Sequence, residues 1–319
     1  MIMKNLKKII IVLISFVAIY SILLSLTDVT QISDSLMNIK LEFLPLIFGL
    51  VTFGWIILFI RWQILLKSNK IEIPLKSSFT IYISGFALQF IPGEIGEFLK
   101  VELLKNKFNI SRSKSSPIVL SEMFYNATGL IALSIAGIWF FEFAIYIFGI
   151  FSSLLILFFY LINKKKYFFK IINYLIKIKF FKKYVESFSE SVDVLQTTTK
   201  KKVLFYSICL STLFWFVECI AIYLLLLSFG IITVDLLTLL PMYSSSIILG
   251  VISFLPLGLG VFEGSLAGFL NLNGVNITIS LAVVILSRII TRWYSIIVGL
   301  IVLKITHGLT SNSKYGTTV

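Results

Sequence analysis

The sequence predicts an all-α integral membrane protein with about six full spans and two re-entrant helical hairpins, arranged as two inverted-topology repeats. Of its 319 residues, 58% are hydrophobic and only 13% are charged, and the mean hydropathy is +1.00. Several apolar runs reach the roughly 20 residues that a helix needs to cross a bilayer core. A short phrase rich in Pro and Gly interrupts two of these runs, about half a chain length apart.

The repeated phrase is the most informative local feature of the sequence. It reads Phe-Ile-Pro-Gly-Glu-Ile-Gly-Glu-Phe at 90–98 and Phe-Leu-Pro-Leu-Gly-Leu-Gly-Val-Phe at 254–262. In a membrane protein, broken apolar segments at corresponding positions of two halves point to a transport site between the halves.

The basic residues set the predicted topology. The net charge is +13, and most of the 28 Lys and Arg residues cluster at the ends of apolar runs, which fits the positive-inside rule rather than nucleic-acid binding. The rule places both termini on the cytoplasmic side of the plasma membrane. The first run lacks a following small-residue cleavage site and is interpreted as an uncleaved span. The predicted full spans are 9–27, 43–66, 117–140, 142–162, 203–229 and 278–303.

Two further apolar stretches, 78–99 and 236–272, begin and end on the same side under this rule. Each is therefore predicted to enter the membrane and return, with turns at Pro92-Gly93 and at Pro256-Leu257-Gly258. The alternative for the second stretch is a pair of short spans. With three crossings in each half, the halves are inverted relative to each other.

This topology divides the chain into two repeats and a tail. A cytoplasmic loop at 163–202 interleaves lysines with aromatic and aliphatic residues, so it is either an amphipathic helix on an anionic leaflet or a solvated loop. The predicted divisions are 1–140 for the first repeat, 141–304 for the second repeat including that loop, and 305–319 for a cytoplasmic tail.

Charged residues within the predicted spans are the candidate functional residues, because each costs about 2.5–3.5 kcal/mol to insert. They either line a shared polar cavity that binds a ligand or form salt bridges that lock the halves together. Arg61 lies nearer a helix end and is expected to snorkel to the surface. The other charged candidates are Glu94, Glu97, Glu122, Glu218, Glu263, Arg288 and Arg292.

The hairpin turns contribute backbone groups to the same candidate site. Broken helices present free N–H groups, which favour anions such as phosphate, and glycine permits close backbone approach. Irregular backbone at membrane depth must be enclosed by protein or water, so both tips are expected to lie buried near the midplane, facing each other. The turn residues in the candidate set are Pro92, Gly93, Gly96, Pro256, Gly258 and Gly260.

Signals for ordinary enzymes are weak. His307 is the only histidine, and Cys209 and Cys219 point to different faces of one predicted helix. We therefore expect no catalytic residue, no metal and no cofactor. If the chain were an enzyme, the hairpin glutamates would be its only candidates for a nucleophile or base.

These motifs resemble the lysylphosphatidylglycerol synthase transmembrane-region family, also called flippase-like or UPF0104 proteins. The matching segments are Pro-Gly-Glu-Ile-Gly-Glu at 92–97, residues 122–126, and Pro-Leu-Gly-Leu-Gly-Val-Phe-Glu-Gly at 256–264. The resemblance adds Lys100 and Asn126 to the candidate site. It also has departures, because Met123 and Asn126 stand where the family often has Arg and Asp, and Lys100 where it commonly has Arg.

The resemblance implies translocation or handling of anionic lipids, including aminoacylated phosphatidylglycerol and glycolipid precursors. In two-part synthases of this kind a soluble aminoacyl-transferase domain is a separate module, and we expect a stand-alone form without it.

The leading hypothesis is a lipid flippase or transporter that works by alternating access. Arg288 and Arg292, with the hairpin backbone, would hold a lipid phosphate. A cationic or hydroxyl-rich headgroup would be held, or a coupling proton carried, by Glu94, Glu97, Glu122 and Glu263. The alternatives are an intramembrane lipid-modifying transferase and an accessory subunit of a phosphatidylglycerol lysyltransferase or glycolipid synthase. The expected partners are a membrane lipid with an anionic headgroup and a lipid synthase, not nucleic acid; the oligomeric state is not predicted.

Overall fold

The computed structural model describes residues 39–91, 96–135 and 185–306, together with Met37 and isolated positions between 146 and 160. The predicted spans 9–27 and 142–162 therefore lie largely or wholly outside the described residues. So do the first hairpin tip at 92–95 and the tail beyond 306.

Throughout the described ranges, the chain forms helices joined by short turns, which confirms the all-α prediction. The helices are α1 Leu44–Ser68, α2 Leu75–Gly85, α3 Leu99–Phe108, α4 Arg112–Ile135, α5 Val185–Thr198, α6 Lys201–Ser228, α7 Leu236–Ile252, α8 Val261–Leu272, α9 Ile277–Arg288 and α10 Tyr294–Ile305.

Four helical stretches among these residues are long and apolar enough to cross a membrane. They correspond to four of the six predicted spans, and the total number of full spans stays a prediction. Their bounds are Leu41–Ser68, Arg112–Ile135, Lys201–Ser228 and Ile277–Ile305, where the first includes a short 3₁₀ turn and the last joins α9 to α10.

Small residues bring the long helices close together. The Cα of Gly54 on α1 faces the ring of Phe214 on α6, where an added Cβ would lie 3.1 Å from Cδ2. Gly129 on α4 faces Ser211 on α6, where an added Cβ would lie 2.5 Å from the serine Cβ. Such close approach is how membrane helices gain packing energy, because lipid supplies no hydrophobic force between them. α6 therefore packs against both α1 and α4.

The first hairpin consists of α2, a 3₁₀ turn at Phe86–Leu88, and α3. Its first arm is about 22 Å long, shorter than the roughly 30 Å hydrocarbon core. The arms touch near the tip, because a Cβ added to Gly85 would lie 2.9 Å from Cγ of Lys100. The chain thus turns back within this segment, and its bounds are wider than the predicted 78–99.

The second hairpin consists of α7 and α8, with arms about 26 Å and 18 Å long. Its tip reverses direction through positive φ angles at Phe254, Leu257, Gly258 and Gly260. A Cβ on Gly258 would lie 2.7 Å from Cα of Gly250, so only glycine allows this closeness. Contrary to the expectation of fully buried tips, Phe254 is 77% exposed, whereas Gly258 is buried.

The predicted loop 163–202 ends in α5, which lies against α4. Val192, Val194 and Leu195 are buried, and the hydroxyls of Ser121 and Thr198 lie 2.8 Å apart. Tyr125 donates a 2.7 Å hydrogen bond to the Thr198 carbonyl. In this part of the loop the apolar side chains thus contact protein, which differs from both predicted interpretations.

The last long helix contains a π-helical segment, Ile289–Trp293, between α9 and α10. Such segments are frequent at functional sites. Beyond it, α10 packs on the first hairpin, because a Cβ on Gly299 would lie 2.5 Å from the Ala87 nitrogen. The end of the second half is therefore in contact with the hairpin of the first half.

Candidate functional site

Eight charged side chains inside the helical bundle form two clusters, each containing two acids and two bases. Seven of the eight belong to the candidate set from the sequence, and the eighth is Arg61. We call Arg61, Glu97, Lys100 and Glu122 the first cluster, and Glu218, Glu263, Arg288 and Arg292 the second cluster.

Lys100 is the centre of the first cluster. Its Nζ lies 2.6 Å from Oε2 of Glu97 and 2.7 Å from Oε2 of Glu122. The ammonium also lies 5.1 Å from the ring centroid of Trp62 and 5.2 Å from that of Tyr82. This one cation therefore joins the second arm of the first hairpin to α4, with aromatic faces covering its remaining side.

Arg61 completes the first cluster and contradicts the expectation that it snorkels. It is buried, and its Nη1 donates hydrogen bonds to Asn126 Oδ1 at 2.7 Å and to Ser211 Oγ at 2.6 Å. Its Nη2 lies 3.8 Å from Oε1 of Glu122. Arg61 lies seven residues before the end of α1, about 10 Å along the helix, and its side chain points into the bundle because its hydrogen-bond partners lie on α4 and α6.

Within the second cluster, Arg288 and Glu263 form a close ion pair. Arg288 Nε donates to Glu263 Oε1 at 2.9 Å, and Nη2 donates to the Leu257 carbonyl at 2.7 Å. The other oxygen of Glu263 accepts the Gly260 backbone N–H at 2.7 Å. The guanidinium stacks on Phe262, 3.7 Å from the ring centroid. Arg288 thus ties α9 to both sides of the second hairpin tip.

The other two residues of the second cluster, Glu218 and Arg292, form an ion pair with a longer distance. Oε1 of Glu218 lies 3.4 Å from Arg292 Nη2, whereas charge-assisted hydrogen bonds are normally about 2.7–2.9 Å. Oε2 of Glu218 is buried and has no hydrogen-bond partner among the described residues. The Arg292 guanidinium lies 5.8 Å from the ring centroid of Trp215.

Two polar bridges link the clusters. Gln89 donates to Glu97 Oε1 at 3.2 Å and accepts from Ser295 Oγ at 2.9 Å, one turn beyond Arg292. The indole of Trp215 donates to the Asn126 carbonyl at 2.8 Å, and Trp215 in turn lies beside Arg292. The two clusters are therefore parts of one continuous polar region that spans both halves of the chain.

The structure brings most of the candidate residues into this region, while their binding of a substrate stays a prediction. Gly96 is buried where the arms of the first hairpin meet, against the Leu88 carbonyl. Pro256 begins the 3₁₀ turn of the second tip, and Gly260 directly precedes α8. Pro92, Gly93 and Glu94 lie outside the described residues.

Sequence reasoning missed Gln89 and Ser295 as well as Arg61. A glutamine within an apolar hairpin, just before the Pro-Gly phrase, is a signal that could have marked Gln89. Ser295 follows Arg292 by three residues and so shares its helix face. Within the described part of the chain, no group of three or more His, Cys, Asp or Glu side chains is placed to hold a metal ion.

An all-helical fold with long apolar helices and an interior network of paired charges defines a polytopic membrane protein. The chain belongs to the family described as lysylphosphatidylglycerol synthase TM region, whose model matches residues 8–299. This confirms the resemblance noted from the motifs.

A UPF0104 membrane protein of Methanothermobacter thermautotrophicus is 34% identical to the chain over 94 residues. That alignment covers 30% of this chain and 28% of the archaeal protein, so the chain matches less than a third of that relative's length.

Proposed function

We propose that this protein moves a phospholipid between membrane leaflets by alternating access. One observation carries the proposal. Glu97 and Arg292 have side chains that are 16% and 21% exposed, whereas the other six charged side chains of the two clusters are at most 7% exposed. The two accessible charges have opposite sign, come from opposite halves, and lie on either side of the Gln89–Ser295 bridge.

These two charges match the headgroup of a phospholipid. The planar guanidinium of Arg292 suits bidentate recognition of phosphate oxygens. The Glu97 carboxylate, on the other side of the bridge, suits an amine or hydroxyl group attached to that phosphate. Interior charges of this kind are expensive in a membrane and typically mark a substrate pathway.

The charged residues whose polar atoms already have several partners within the protein have a different proposed role. Arg288 and Glu263 use their polar atoms on each other and on the backbone of the second tip, and Lys100 is enclosed by two carboxylates and two rings. We assign these residues to holding the hairpins in place. Among the predicted phosphate-binding arginines, Arg292 is then the one that contacts the lipid.

Alternating access requires the two halves to move relative to each other, and two features support this. The described contact between the first hairpin and the end of the chain's last long helix combines close backbone packing at Gly299 with two hydrogen bonds, from Ser295 to Gln89 and from Lys107 to the Thr306 carbonyl. Arg292 lies in a π-helical segment, a kind of segment at which helices bend and which is frequent at functional sites. In this proposal the hairpins are re-entrant, the halves are inverted repeats, and the protein lies in the cytoplasmic membrane with both termini inside.

The test is lipid movement in vesicles that contain the purified protein. Fluorescent phosphatidylglycerol, phosphatidylethanolamine and lysylphosphatidylglycerol are each placed in the inner leaflet, and their arrival outside is followed with an impermeant quencher. We expect movement of at least one of them, with a loss of tenfold or more in Arg292→Gln. Arg112→Gln is the matched control, because Arg112 is an exposed arginine that pairs only with exposed Glu102 among the described residues.

Absence of movement for all three lipids, with correctly folded protein, would contradict the proposal. The family name refers to a lipid synthase, so the same preparations should also be examined for modified lipid. Formation of new lipid by the purified chain would favour the transferase alternative. Loss of a separate synthase's activity when this chain is deleted would favour the accessory-subunit alternative.

A further inference from the structure

We infer that Glu218 is the site of a coupling proton: its carboxylate takes up one proton when a lipid phosphate binds Arg292. The inference rests on the proposed lipid transport and adds the charge-balancing step that this transport needs. Its basis is the difference between Glu218 and the other three carboxylates of the two clusters.

Those three carboxylates are each contacted at both oxygens. Glu97 meets Lys100 and Gln89, and Glu122 meets Lys100 and Arg61. Glu263 meets Arg288 and the backbone N–H of Gly260. In each of the three, therefore, both oxygens have a partner, the longest of these contacts being the 3.8 Å between Glu122 and Arg61.

Glu218 is contacted at one oxygen only. Its side chain is 4% exposed, its Oε1 lies 3.4 Å from Arg292, and its buried Oε2 has no partner among the described residues. Its counter-ion is also the most exposed cation of the two clusters. The Arg292 guanidinium, which balances the charge of Glu218, is therefore the same group that a lipid phosphate would contact.

Phosphate and Glu218 compete for the same guanidinium. When the phosphate pairs with Arg292, Glu218 loses its compensation in a site that water barely reaches, and an unpaired buried carboxylate is strongly unfavourable. A proton from water that binds Oε2 removes this charge. The phosphate brings one negative charge and the proton one positive charge, so the net charge of the site is unchanged.

No other side chain described around Glu218 is suited to this exchange. Cys219 is its neighbour on α6, and Tyr243 of α7 lies within electrostatic range of Glu218, Arg288 and Arg292. Thiol and phenol groups ordinarily titrate near 8.5 and 10, so both are uncharged at neutral pH. Arg288 is committed to Glu263 and Leu257. The carboxylate of Glu218 is thus the group whose charge can change.

The test measures protons taken up on lipid binding. Purified full-length protein in detergent is titrated with dihexanoyl-phosphatidylglycerol by calorimetry, at one pH, in two buffers of different ionisation enthalpy. We expect uptake of about one proton per lipid bound, and an affinity that weakens about tenfold for each unit that the pH rises. Glu218→Gln should bind the lipid without proton uptake and without this pH dependence, whereas Glu102→Gln, on an exposed carboxylate, should behave as wild type.

An infrared difference spectrum of the wild-type protein provides a readout that does not depend on folding of the variant. Lipid addition should produce the C=O band of a protonated carboxylic acid. Lipid binding with no proton uptake, with no such band, or with unchanged uptake in Glu218→Gln would overturn this inference and leave the transport proposal standing. Failure of the wild-type protein to bind any of phosphatidylglycerol, phosphatidylethanolamine and lysylphosphatidylglycerol would contradict both.

Discussion

The two hairpins are fastened by ion pairs at equivalent places but with opposite polarity. In the first hairpin a lysine on the second arm, Lys100, pairs with an acid on the next helix, Glu122. In the second hairpin an acid on the second arm, Glu263, pairs with an arginine on the next helix, Arg288. The ion pair therefore lies at the same place in both hairpins, whereas the acidic and the basic partner exchange positions between them.

The ion pairs that hold the two hairpins also differ in how their charges are balanced. The first is a network of four side chains in which Lys100 serves two carboxylates. The second relies on backbone groups at the tip, because Leu257 accepts from Arg288 and Gly260 donates to Glu263. We therefore expect the first hairpin to be most sensitive to loss of charge and the second to changes in tip geometry.

The largest expected effect is from Lys100→Met. It leaves the buried Glu122 and the partly exposed Glu97 with Arg61 as the remaining cation of the cluster, at 3.8 Å from Glu122. Removing one partner of a buried ion pair typically costs about 3–5 kcal/mol. Thermal unfolding in detergent should show a strongly lowered melting temperature.

Lys105→Met is the matched control for this prediction. Lys105 lies on the same helix, α3, but its side chain is exposed, so its melting temperature should be close to that of wild type. Equal melting temperatures for the two variants would contradict the view that Lys100 fastens the first hairpin.

The second expected effect is from Gly258→Ala. The added Cβ would lie 2.7 Å from Cα of Gly250, and the residue has φ of +67°, so both crowding and backbone strain oppose alanine. Overpacking of this kind costs about 1–3 kcal/mol. Gly264→Ala in the same hairpin is the control, because an added Cβ there has no neighbour within 4 Å.

Measured by thermal unfolding, Gly264→Ala should leave the protein unchanged or slightly stabilised, because alanine is the better helix former. Gly85→Ala extends the comparison to the first hairpin. Its nearest obstacle is the flexible Lys100 side chain at 2.9 Å rather than backbone, so its effect should be smaller than that of Gly258→Ala. The reverse order would show that the first hairpin is the more tightly packed of the two.

Much of the fold could be predicted because hydropathy and charge act along the chain. The four described long helices match predicted spans, since an apolar run of that length has few other stable forms in a bilayer. Arg61 was misjudged because its partners, Asn126 and Ser211, are distant in sequence. The docking of α5 on α4 could not be predicted for the same reason, since an amphipathic pattern does not reveal whether its apolar face meets lipid or protein.

The candidate site was predicted in its residues but not in its pairing. Their charge within apolar runs identified Glu263 and Arg288 as members of one site, yet both were expected to hold substrate. The structure pairs them with each other, because the turn at Gly260 directs the glutamate back toward its own backbone. The exposed fraction of the side chain distinguishes Arg292 from Arg288. This fraction depends on how the helices pack, which cannot be derived from a single sequence.

The smallest expected effect concerns the entrance to each hairpin. α7 of the second hairpin begins at Asp235, whose carboxylate accepts the Thr238 N–H at 2.7 Å, whereas α2 of the first hairpin follows Pro74 without a side-chain cap. This hydrogen bond lowers the pKa of Asp235. Asp235→Ala should therefore destabilise the protein at neutral pH by about 1 kcal/mol, as loss of such a cap typically does.

The pH dependence of that effect follows from the lowered pKa. A carboxyl whose pKa is lower in the folded state stabilises the fold above its unfolded value, near 3.9, and this contribution is lost as the pH falls through the folded value. The difference in melting temperature between wild type and Asp235→Ala should thus shrink below about pH 4. Asn276 caps α9 with an uncharged amide oxygen that accepts the Thr278 N–H, so the effect of Asn276→Ala should not change over that range. If the difference in melting temperature between wild type and Asp235→Ala stayed constant in acid, the cap would not depend on an ionised carboxylate. The starts of the two hairpins would then differ in shape rather than in charge.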